Sequence, residues 1–182
     1  HDLARRQRQM CIRDRSKVLI EQDEIEQKVK ELAERINKDY SGEELVIVGI
    51  LKGAFIVISD LAKQLNVDVT FEFMSIQSYE GTKSTGQIKI DKDLDIDITG
   101  KNILIVEDIF DTGLTISHLK NLLESRNPKS IEILCMFIKK DVATEPVDIK
   151  YSGFEIGPEF VVGYGLDYEG KYRELPFLGV LS

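Results

Sequence analysis

The sequence predicts an α/β protein with a doubly wound, mostly parallel sheet. Three segments support this prediction. Residues 45–50 and 103–106 are runs of apolar residues without polar alternation, and residues 131–138 are apolar except for Glu132. Such runs are typical of strands that are covered on both faces. Residues 45–50 and 103–106 are each followed by a short turn and then by apolar residues at helical spacing, which indicates strand–turn–helix units of a parallel sheet.

Composition narrows the class of protein. The chain has 182 residues and a formal charge of −8, which argues against a broad nucleic-acid surface. No run of about 18 apolar residues exists, so no membrane-spanning helix is expected. Cys11 and Cys135 are too few for a disulfide framework or a zinc site, and we expect reduced thiols in a cytoplasmic protein.

The first fifteen residues differ from the rest. They hold five Arg and two Asp and lack apolar periodicity. They also lack the apolar core of a secretion signal, so we interpret residues 1–15 as a disordered extension or an artefact. Residues 16–182 are then long enough for a single domain with a substantial core.

The elements before the central strand follow from periodicity. A capping box of Asp23 and Glu26 predicts a helix that ends at Ser41-Gly42, with one apolar face made of Ile25, Val29, Leu32, Ala33 and Ile36. The strand at 45–50 precedes a Leu-Lys-Gly turn and a second helix, whose apolar face is made of Ala54, Ile58, Leu61 and Leu65.

Three further segments lie between the second helix and the central strand. Residues 67–75 alternate apolar and polar side chains, which predicts a strand with one covered face. Residues 77–87, QSYEGTKSTGQ, predict a mobile hairpin loop. Residues 91–97 predict an acidic, solvated run without chemistry.

The central segment is ILIVEDIFDTGLT, residues 103–115. Its Asp-Thr-Gly-Leu-Thr turn would present backbone N–H groups, two hydroxyls and a helix N-terminus to an anion. Glu107, Asp108 and Asp111 add negative charge, which suits a ligand that combines phosphate, sugar hydroxyls and a metal ion. The alternative is that Glu107 and Asp108 begin a solvated loop and that Asp111 or Thr112 is a helix cap.

The whole string resembles the phosphoribosyl diphosphate (PRPP) signature of the type I phosphoribosyltransferases, with Phe110 where relatives usually carry Ile or Val. The resemblance implies that fold, with a small hood formed mainly by residues 153–182 and a flexible closing loop that includes Ser84 to Gly86. It also implies a set of PRPP-binding residues: Leu51, Lys52, Gly53, Ser78, Tyr79, Glu107, Asp108, Asp111, Thr112, Gly113, Leu114, Thr115 and Arg173.

Two more segments resemble the base-binding part of hypoxanthine-guanine phosphoribosyltransferases. Lys139 follows the strand at 131–138, and the resemblance makes it the donor to the exocyclic oxygen of a 6-oxopurine. The string FVVGYGLDY, residues 160–168, resembles the hood. The implied base-binding residues are Ile109, Lys139, Phe160, Val161 and Asp167. The implied Mg²⁺ ligands are Glu107 and Asp108, together with Asp167, which would hold a second Mg²⁺.

We therefore predict an enzyme that transfers 5-phosphoribosyl from PRPP to hypoxanthine or guanine, with Asp111 as the catalytic proton acceptor. The expected partners are these small substrates in a homodimer or homotetramer, without nucleic acid or membrane. Two alternatives are a xanthine-preferring enzyme and a PRPP-sensing regulator without turnover. The acidic balance and the presence of Lys139, Asp167 and Arg173 disfavour the regulator.

Overall fold

The computed structural model describes residues 16–78 and 88–181. Three helices lie in these ranges: α1 Gln22–Asp39, α2 Phe55–Ala62 and α3 Leu114–Glu124. The strands are β1 Ser16–Ile20, β2 Glu44–Leu51, β3 Asp68–Ser78, β4 Ile88–Lys92, β5 Asn102–Phe110, β6 Ser130–Ile138, β7 Tyr151–Glu155, β8 Val161–Val162 and β9 Leu178–Leu181. None of the helices in the described ranges is long and apolar enough to cross a membrane.

The larger sheet has the strand order β4-β3-β2-β5-β6-β7. Every neighbouring pair in it is parallel except β3 with β4, which is antiparallel. The prediction of a doubly wound, mostly parallel α/β sheet is therefore confirmed. β2 and β5 lie side by side at the centre, and the chain runs outward from β2 to β3 and from β5 to β6 and β7.

Both faces of this sheet are covered by apolar clusters. On one face Leu104 and Val106 of β5 pack with α1 and α2, and on the other Ile103 and Ile105 pack with α3. These four side chains are fully buried. A strand with two covered faces has no polar positions to alternate with apolar ones, which is why its sequence is a continuous apolar run.

Some predicted details of α1 and α2 need correction. The predicted apolar face of α1 is buried, but its capping box uses Glu21 and Glu24 in place of Asp23 and Glu26, and the Glu21 N–H donates to the Glu24 carboxylate at 3.0 Å. The chain at Glu21 is still extended, so the helix begins two residues earlier than predicted. Helix α2 ends at Ala62, and Leu65 packs on the core from beyond it.

The acidic segment 91–97 packs against one face of β3. The predicted single covered face of β3 is wrong toward its end, because Glu72 and Met74 on the opposite face are buried. Glu72 accepts a hydrogen bond from the Asp95 N–H at 2.8 Å. The acidic residues 91–97 are exposed as predicted, but Leu94 and Ile96 between them pack against an apolar cluster.

A second, three-stranded sheet has the order β1-β9-β8. It joins the start of the described chain to its end, because β1 pairs with β9 in antiparallel fashion. β1 precedes the range 153–182 predicted for the hood, and β7, which overlaps the beginning of that range, is an edge strand of the larger sheet. An amphipathic pattern of only a few residues does not specify the distant strand with which it pairs.

Candidate active site

The predicted site residues lie at the carboxyl edge of the larger sheet. β2 and β5 are parallel neighbours, so the turn after Leu51 and the turn after Phe110 emerge at the same edge. The strand order diverges between these two strands, and ligands of open α/β sheets bind in the crevice at such a point. Ser78 ends β3 at this edge too, whereas Tyr79 and residues 84–86 lie outside the described ranges.

The turn after β5 has the geometry of an anion site. Gly113, with φ of +85°, is the N-cap of α3, so neither Asp111 nor Thr112 has the capping position that the alternative interpretation gave them. Among the described residues, the N–H groups of Gly113, Thr115 and Ile116 have no hydrogen-bond partner. These free donors converge at a helix N-terminus, which is the arrangement that binds phosphate.

Gly113 is required by space as well as by its backbone angle. A Cβ atom at this position would lie 2.6 Å from Cζ of Phe110. Phe110 is buried, and its ring packs under the turn. The ring occupies the space that a side chain at position 113 would need, so Gly113 makes room for it. The turn and the end of β5 enclose a cavity of about 140 Å³, lined by Glu107, Ile109, Phe110, Asp111, Thr112, Gly113, Thr115 and Ile116.

The acidic pair belongs to β5 itself, so the interpretation that it begins a solvated loop is wrong. Asp108 is only 6% exposed, and one carboxylate oxygen accepts a hydrogen bond from the Ile109 N–H at 2.8 Å. Burial and the charge of Asp108 raise the pKa of Glu107 well above its ordinary value. Burial also raises the pKa of Asp108, although its contact with Glu107 and the nearby backbone N–H groups oppose that shift.

The turn after β2 lies directly on Asp108. A Cβ atom at Gly53 would be 1.6 Å from Oδ2 of Asp108, so only glycine allows this approach. Leu51 and Lys52 before it are joined by a cis peptide bond. A Cβ atom at Gly165 would in turn be 2.2 Å from the Gly53 carbonyl oxygen, so the segment before β9 rests on this turn. The Leu-Lys-Gly turn is thus held between Asp108 and Gly165.

Arg173 and Asp167 form an ion pair beside this stack. Nη2 of Arg173 is 2.6 Å from Oδ1 of Asp167, and Nη1 donates to the Gly165 carbonyl oxygen at 2.6 Å. The other Asp167 oxygen accepts from the Gly170 N–H at 2.7 Å. The positive charge of Arg173 is also close enough to lower the pKa of Asp108, by less than burial raises it.

The carboxylates predicted to bind Mg²⁺ fall into two different environments. Within the described ranges no three acidic, His or Cys side chains are grouped for a metal ion, so Asp167 does not join Glu107 and Asp108 in one cluster. Asp167 is already compensated by Arg173, whereas Glu107 and Asp108 lack a cation of their own within ion-pair distance in the described chain. Mg²⁺ needs only one or two carboxylates when phosphate oxygens complete its shell, and the pair fits that requirement.

The two lysines after β6 differ in burial and in ion pairing. Lys139 is only 9% exposed, and no carboxylate of the described residues lies within ion-pair distance of its ammonium group. Its backbone N–H donates to the Phe110 carbonyl oxygen at 2.9 Å, which ties it to the end of β5. Lys140 is exposed and paired with Glu155. Lys139 is therefore a buried cation without a carboxylate partner, which is an unusual state for lysine.

The predicted hood residues present one exposed ring and one buried strand. Phe160 is 57% exposed, and its ring meets the edge of Tyr168 at a centroid distance of 5.8 Å. Val161 is buried on β8, which pairs with β9. A flat aromatic surface beside a fixed backbone can hold a planar ligand by stacking and by hydrogen bonds to the main chain.

One contact at the site was not predicted from the sequence. The Thr112 carbonyl oxygen accepts hydrogen bonds from the Thr144 N–H at 3.0 Å, the Thr144 hydroxyl at 3.2 Å and the Glu145 N–H at 3.2 Å. Thr144 is an exposed loop residue about thirty positions away, and nothing in its local sequence distinguishes it from an ordinary loop threonine. Only the folded arrangement shows that it reaches the anion-binding turn.

The fold and the site together define an α/β protein with free N–H donors and carboxylates at the carboxyl edge of its sheet, an arrangement that suits a phosphorylated ligand. Comparison with known proteins makes the class specific: the family model of the phosphoribosyl transferase domain matches residues 19–169. The chain belongs to the phosphoribosyltransferase family, and the resemblance in residues 103–115 is confirmed.

Relatives that match over most of the chain include hypoxanthine-guanine phosphoribosyltransferases of known sequence and structure. Hypoxanthine-guanine phosphoribosyltransferase from Dictyostelium discoideum is 46% identical over 170 residues, which cover 91% of this chain and 94% of the relative. The crystal structure of a hypoxanthine phosphoribosyltransferase from Staphylococcus aureus is 44% identical and has a TM-score of 0.88, with 91% of each chain covered. A hypoxanthine-guanine phosphoribosyltransferase from Bacillus anthracis has the same TM-score at 41% identity, covering 91% of this chain and 98% of its own.

Proposed function

We propose that this protein is a purine-salvage enzyme that transfers the 5-phosphoribosyl group from PRPP to N9 of hypoxanthine or guanine. The products are diphosphate and IMP or GMP. The observation that carries the proposal is one cavity that joins free N–H donors at Gly113 and Thr115 to the acidic side chain of Glu107. A sugar phosphate has an anionic end for the donors and hydroxyl groups for the carboxylate, so it can satisfy both.

The turn Asp111–Thr115 binds the 5-phosphate through its backbone N–H groups. Glu107 and Asp108 accept hydrogen bonds from the ribose hydroxyls. As the bond to diphosphate breaks, positive charge develops on the sugar ring, and two carboxylates held close to it by β5 stabilise that charge without reorganising. Burial strengthens this interaction, because little water screens the pair.

Asp111 accepts the proton of the base. It is exposed on the rim of the cavity, one residue beyond the end of β5, and the same cavity is lined by the phosphate-binding residues. A carboxylate there can take or share the N7 proton of the purine while N9 attacks the sugar carbon. The bond from N9 to the sugar forms as the bond from the sugar to diphosphate breaks, and the diphosphate leaves with the electron pair.

The base binds between Lys139 and the hood. Lys139 donates to the exocyclic oxygen of a 6-oxopurine, and Phe160 stacks on the ring. The Val161 backbone contacts the ring edge, and Ile109 packs beside it. This role accounts for a buried lysine without a carboxylate partner in the described chain, since the substrate oxygen supplies the missing acceptor.

Glu107 and Asp108 would hold Mg²⁺ together with oxygens of the substrate. Asp167 would hold a second Mg²⁺ after releasing Arg173. The ion supplies positive charge that stabilises the diphosphate leaving group. Leu51, Lys52 and Gly53 form the turn that contacts the diphosphate, and Arg173 binds its oxygens from the opposite side.

We also propose that the enzyme is cytoplasmic and works as a homodimer or homotetramer, as the family resemblance implies.

A panel of free bases tests this proposal. With PRPP and Mg²⁺, hypoxanthine or guanine should react efficiently, while adenine should be poorer by as much as roughly 10⁴-fold in kcat/KM, because its amino group meets Lys139 as donor against donor. Lys139→Met should lower kcat/KM for hypoxanthine and narrow the gap to adenine. Lys140→Met is the matched control, since Lys140 is exposed and should leave both values unchanged.

The same panel separates the alternatives. Preference for xanthine would replace the proposed substrates within the same class. Binding of PRPP without turnover of any base would contradict the enzymatic proposal and favour a regulator. Efficient use of adenine by the parent would overturn the 6-oxopurine assignment.

A further inference from the structure

The carbonyl group of Thr112 receives an unusual number of hydrogen bonds. Three donors reach its oxygen: the N–H and the hydroxyl of Thr144 and the N–H of Glu145. A carbonyl oxygen has two lone pairs, so three donors within 3.2 Å saturate it and restrict its direction. We name these three donors the 144–145 brace.

Fixing this carbonyl also fixes the next N–H. The Thr112–Gly113 peptide is planar and trans, so the Gly113 N–H points away from the Thr112 oxygen. The brace holds the oxygen on the side of the 139–147 loop. The Gly113 N–H is therefore directed to the other side of the peptide, and it has no hydrogen-bond partner among the described residues. Gly113 and Thr112 both line the cavity of the anion-binding turn.

The turn needs such a support because its own residues provide little. Gly113 has a left-handed backbone and no side chain. Among the described residues, the Thr112 side chain makes only one hydrogen bond within the turn, in which its hydroxyl oxygen accepts from the Leu114 N–H at a long 3.4 Å. A glycine peptide without other restraint can rotate, and rotation of this peptide would turn the Gly113 N–H away from the anion. The brace removes that freedom before a ligand arrives.

We propose that Thr144 is a positioning residue that orients the Gly113 N–H for the phosphate group of the substrate. The proposal rests on the proposed function for the identity of the ligand. It goes beyond that function because Thr144 touches no reacting atom and acts only through the Thr112 carbonyl. The brace belongs to the loop that begins at Lys139, whose N–H is bonded to Phe110, so the loop is attached to the turn region at two carbonyls two residues apart.

Thr144→Val tests the proposal, because valine keeps the branched shape and the backbone N–H but removes the hydroxyl donor. Two quantities are measured: the dissociation constant of inorganic phosphate, by NMR titration, and the KM for PRPP. Both should rise about threefold to tenfold, which corresponds to the loss of one neutral hydrogen bond. The kcat and the KM for hypoxanthine should change less than twofold. Thr144→Ser keeps a hydroxyl donor, so it should return the dissociation constant of phosphate and the KM for PRPP to within twofold of the parent.

Thr99→Val is the matched control. The Thr99 hydroxyl lies within donating distance of Oδ1 of Asp97 at 2.7 Å and of the Arg126 carbonyl oxygen at 3.3 Å. Thr99 precedes β5 and lies at the opposite edge of the sheet from the turn. This variant should bind phosphate as the parent does.

Three results would overturn the brace: a phosphate dissociation constant in Thr144→Val equal to that of the parent, failure of Thr144→Ser to restore binding, or an equal rise of both KM values with a loss of thermal stability. The phosphate titration does not depend on turnover. A parent that binds phosphate but transfers no phosphoribosyl group would therefore contradict the proposed function. The positioning role of Thr144 would still be tested by the phosphate dissociation constants of Thr144→Val and Thr144→Ser.

Discussion

The carboxylates at the end of β5 and that of Asp93 after β4 have pKa values that are shifted in opposite directions. Glu107 and Asp108 on β5 are close together, and burial raises the pKa of both. Asp93, in the segment that follows β4, forms a two-point pair with Arg126, with N–O distances of 2.8 and 2.7 Å, and this pairing lowers its pKa. Arg126 compensates the charge of Asp93, whereas no cation of the described chain lies within ion-pair distance of the β5 pair, which is the state expected of carboxylates that bind a ligand.

This comparison shows how carboxylates that belong to a functional site can be distinguished from carboxylates that are only solvated. Both segments are rich in Asp and Glu, so composition does not distinguish them. What distinguishes them is the element that carries the carboxylates. An exposed run can pair with nearby cations and contact water freely, while the end of a doubly covered strand allows less of both. Uncompensated charge in a cleft costs folding stability, and it is retained where it serves binding or catalysis.

The largest expected effect comes from neutralising the buried pair. The double variant Glu107→Gln, Asp108→Asn keeps the shape of both side chains but removes the negative charge that we propose stabilises the developing sugar cation. Turnover with PRPP and hypoxanthine should fall about 10²-fold to 10³-fold or more, the range for loss of a preorganised electrostatic group. Steady-state kinetics measures this, and turnover within tenfold of the parent would show that the pair does not act on the reaction.

Asp111→Asn should lower turnover by roughly 10²-fold, within the usual range for loss of a general base. PRPP binding should largely persist, because the phosphate donors are backbone N–H groups that the substitution leaves in place. Single-turnover rates and the dissociation constant for PRPP separate the two effects. A rate within a few fold of the parent would remove Asp111 from the proton-transfer role.

The same double variant of the β5 pair should be more stable than the parent at neutral pH. A folded-state pKa above the unfolded value means that the pair favours folding when protonated and loses that contribution as the pH rises through the folded pKa. Gln and Asn imitate the protonated state at every pH. The gain in unfolding free energy should be about 0.5–2 kcal/mol near pH 8, as for other stabilising substitutions at strained sites, and should vanish in acid. Urea denaturation across pH checks this, and a destabilised variant would contradict the account.

Asp93→Asn should give the smallest effect and the opposite sign. The lowered pKa of Asp93 means that its ionised form stabilises the fold above the unfolded pKa and that the contribution is lost as the pH falls through the folded pKa. The pair with Arg126 is largely solvated, so the expected loss near pH 7 is only about 0.2–1 kcal/mol. Turnover should not change. A loss of several kcal/mol would mean that this segment is not the compensated surface described above.

The sequence predicted those parts of the molecule that depend on local patterns. The run Ile103–Val106 marks a doubly covered strand because burial on both faces leaves no other composition. Thr112-Gly113 marks the turn because only glycine allows the backbone of Gly113 beside Phe110. In both cases the physical requirement lies within a few residues of the motif, so the motif carries it.

Features that depend on distant partners could not be predicted. The pairing of β1 with β9, the burial of Glu72 under Asp95 and the brace from Thr144 each join segments that are far apart along the chain. The ion pair of Asp167 with Arg173 is of the same kind, because the sequence indicates two charged residues of the hood but not that they neutralise each other. Such contacts appear only when the fold brings the segments together.

In the described chain no cation lies within ion-pair distance of Glu107 and Asp108, and we propose that the substrate and its Mg²⁺ compensate their charge. The most direct measurement is the titration of their side-chain carboxyl carbons by NMR in the free protein, with the resonances assigned by Glu107→Gln and Asp108→Asn. We expect both groups to titrate above the ordinary values of about 4.3 for Glu and 3.9 for Asp, and Asp93 to titrate below its ordinary value. Titration of Glu107 and Asp108 at or below those ordinary values would contradict this expectation.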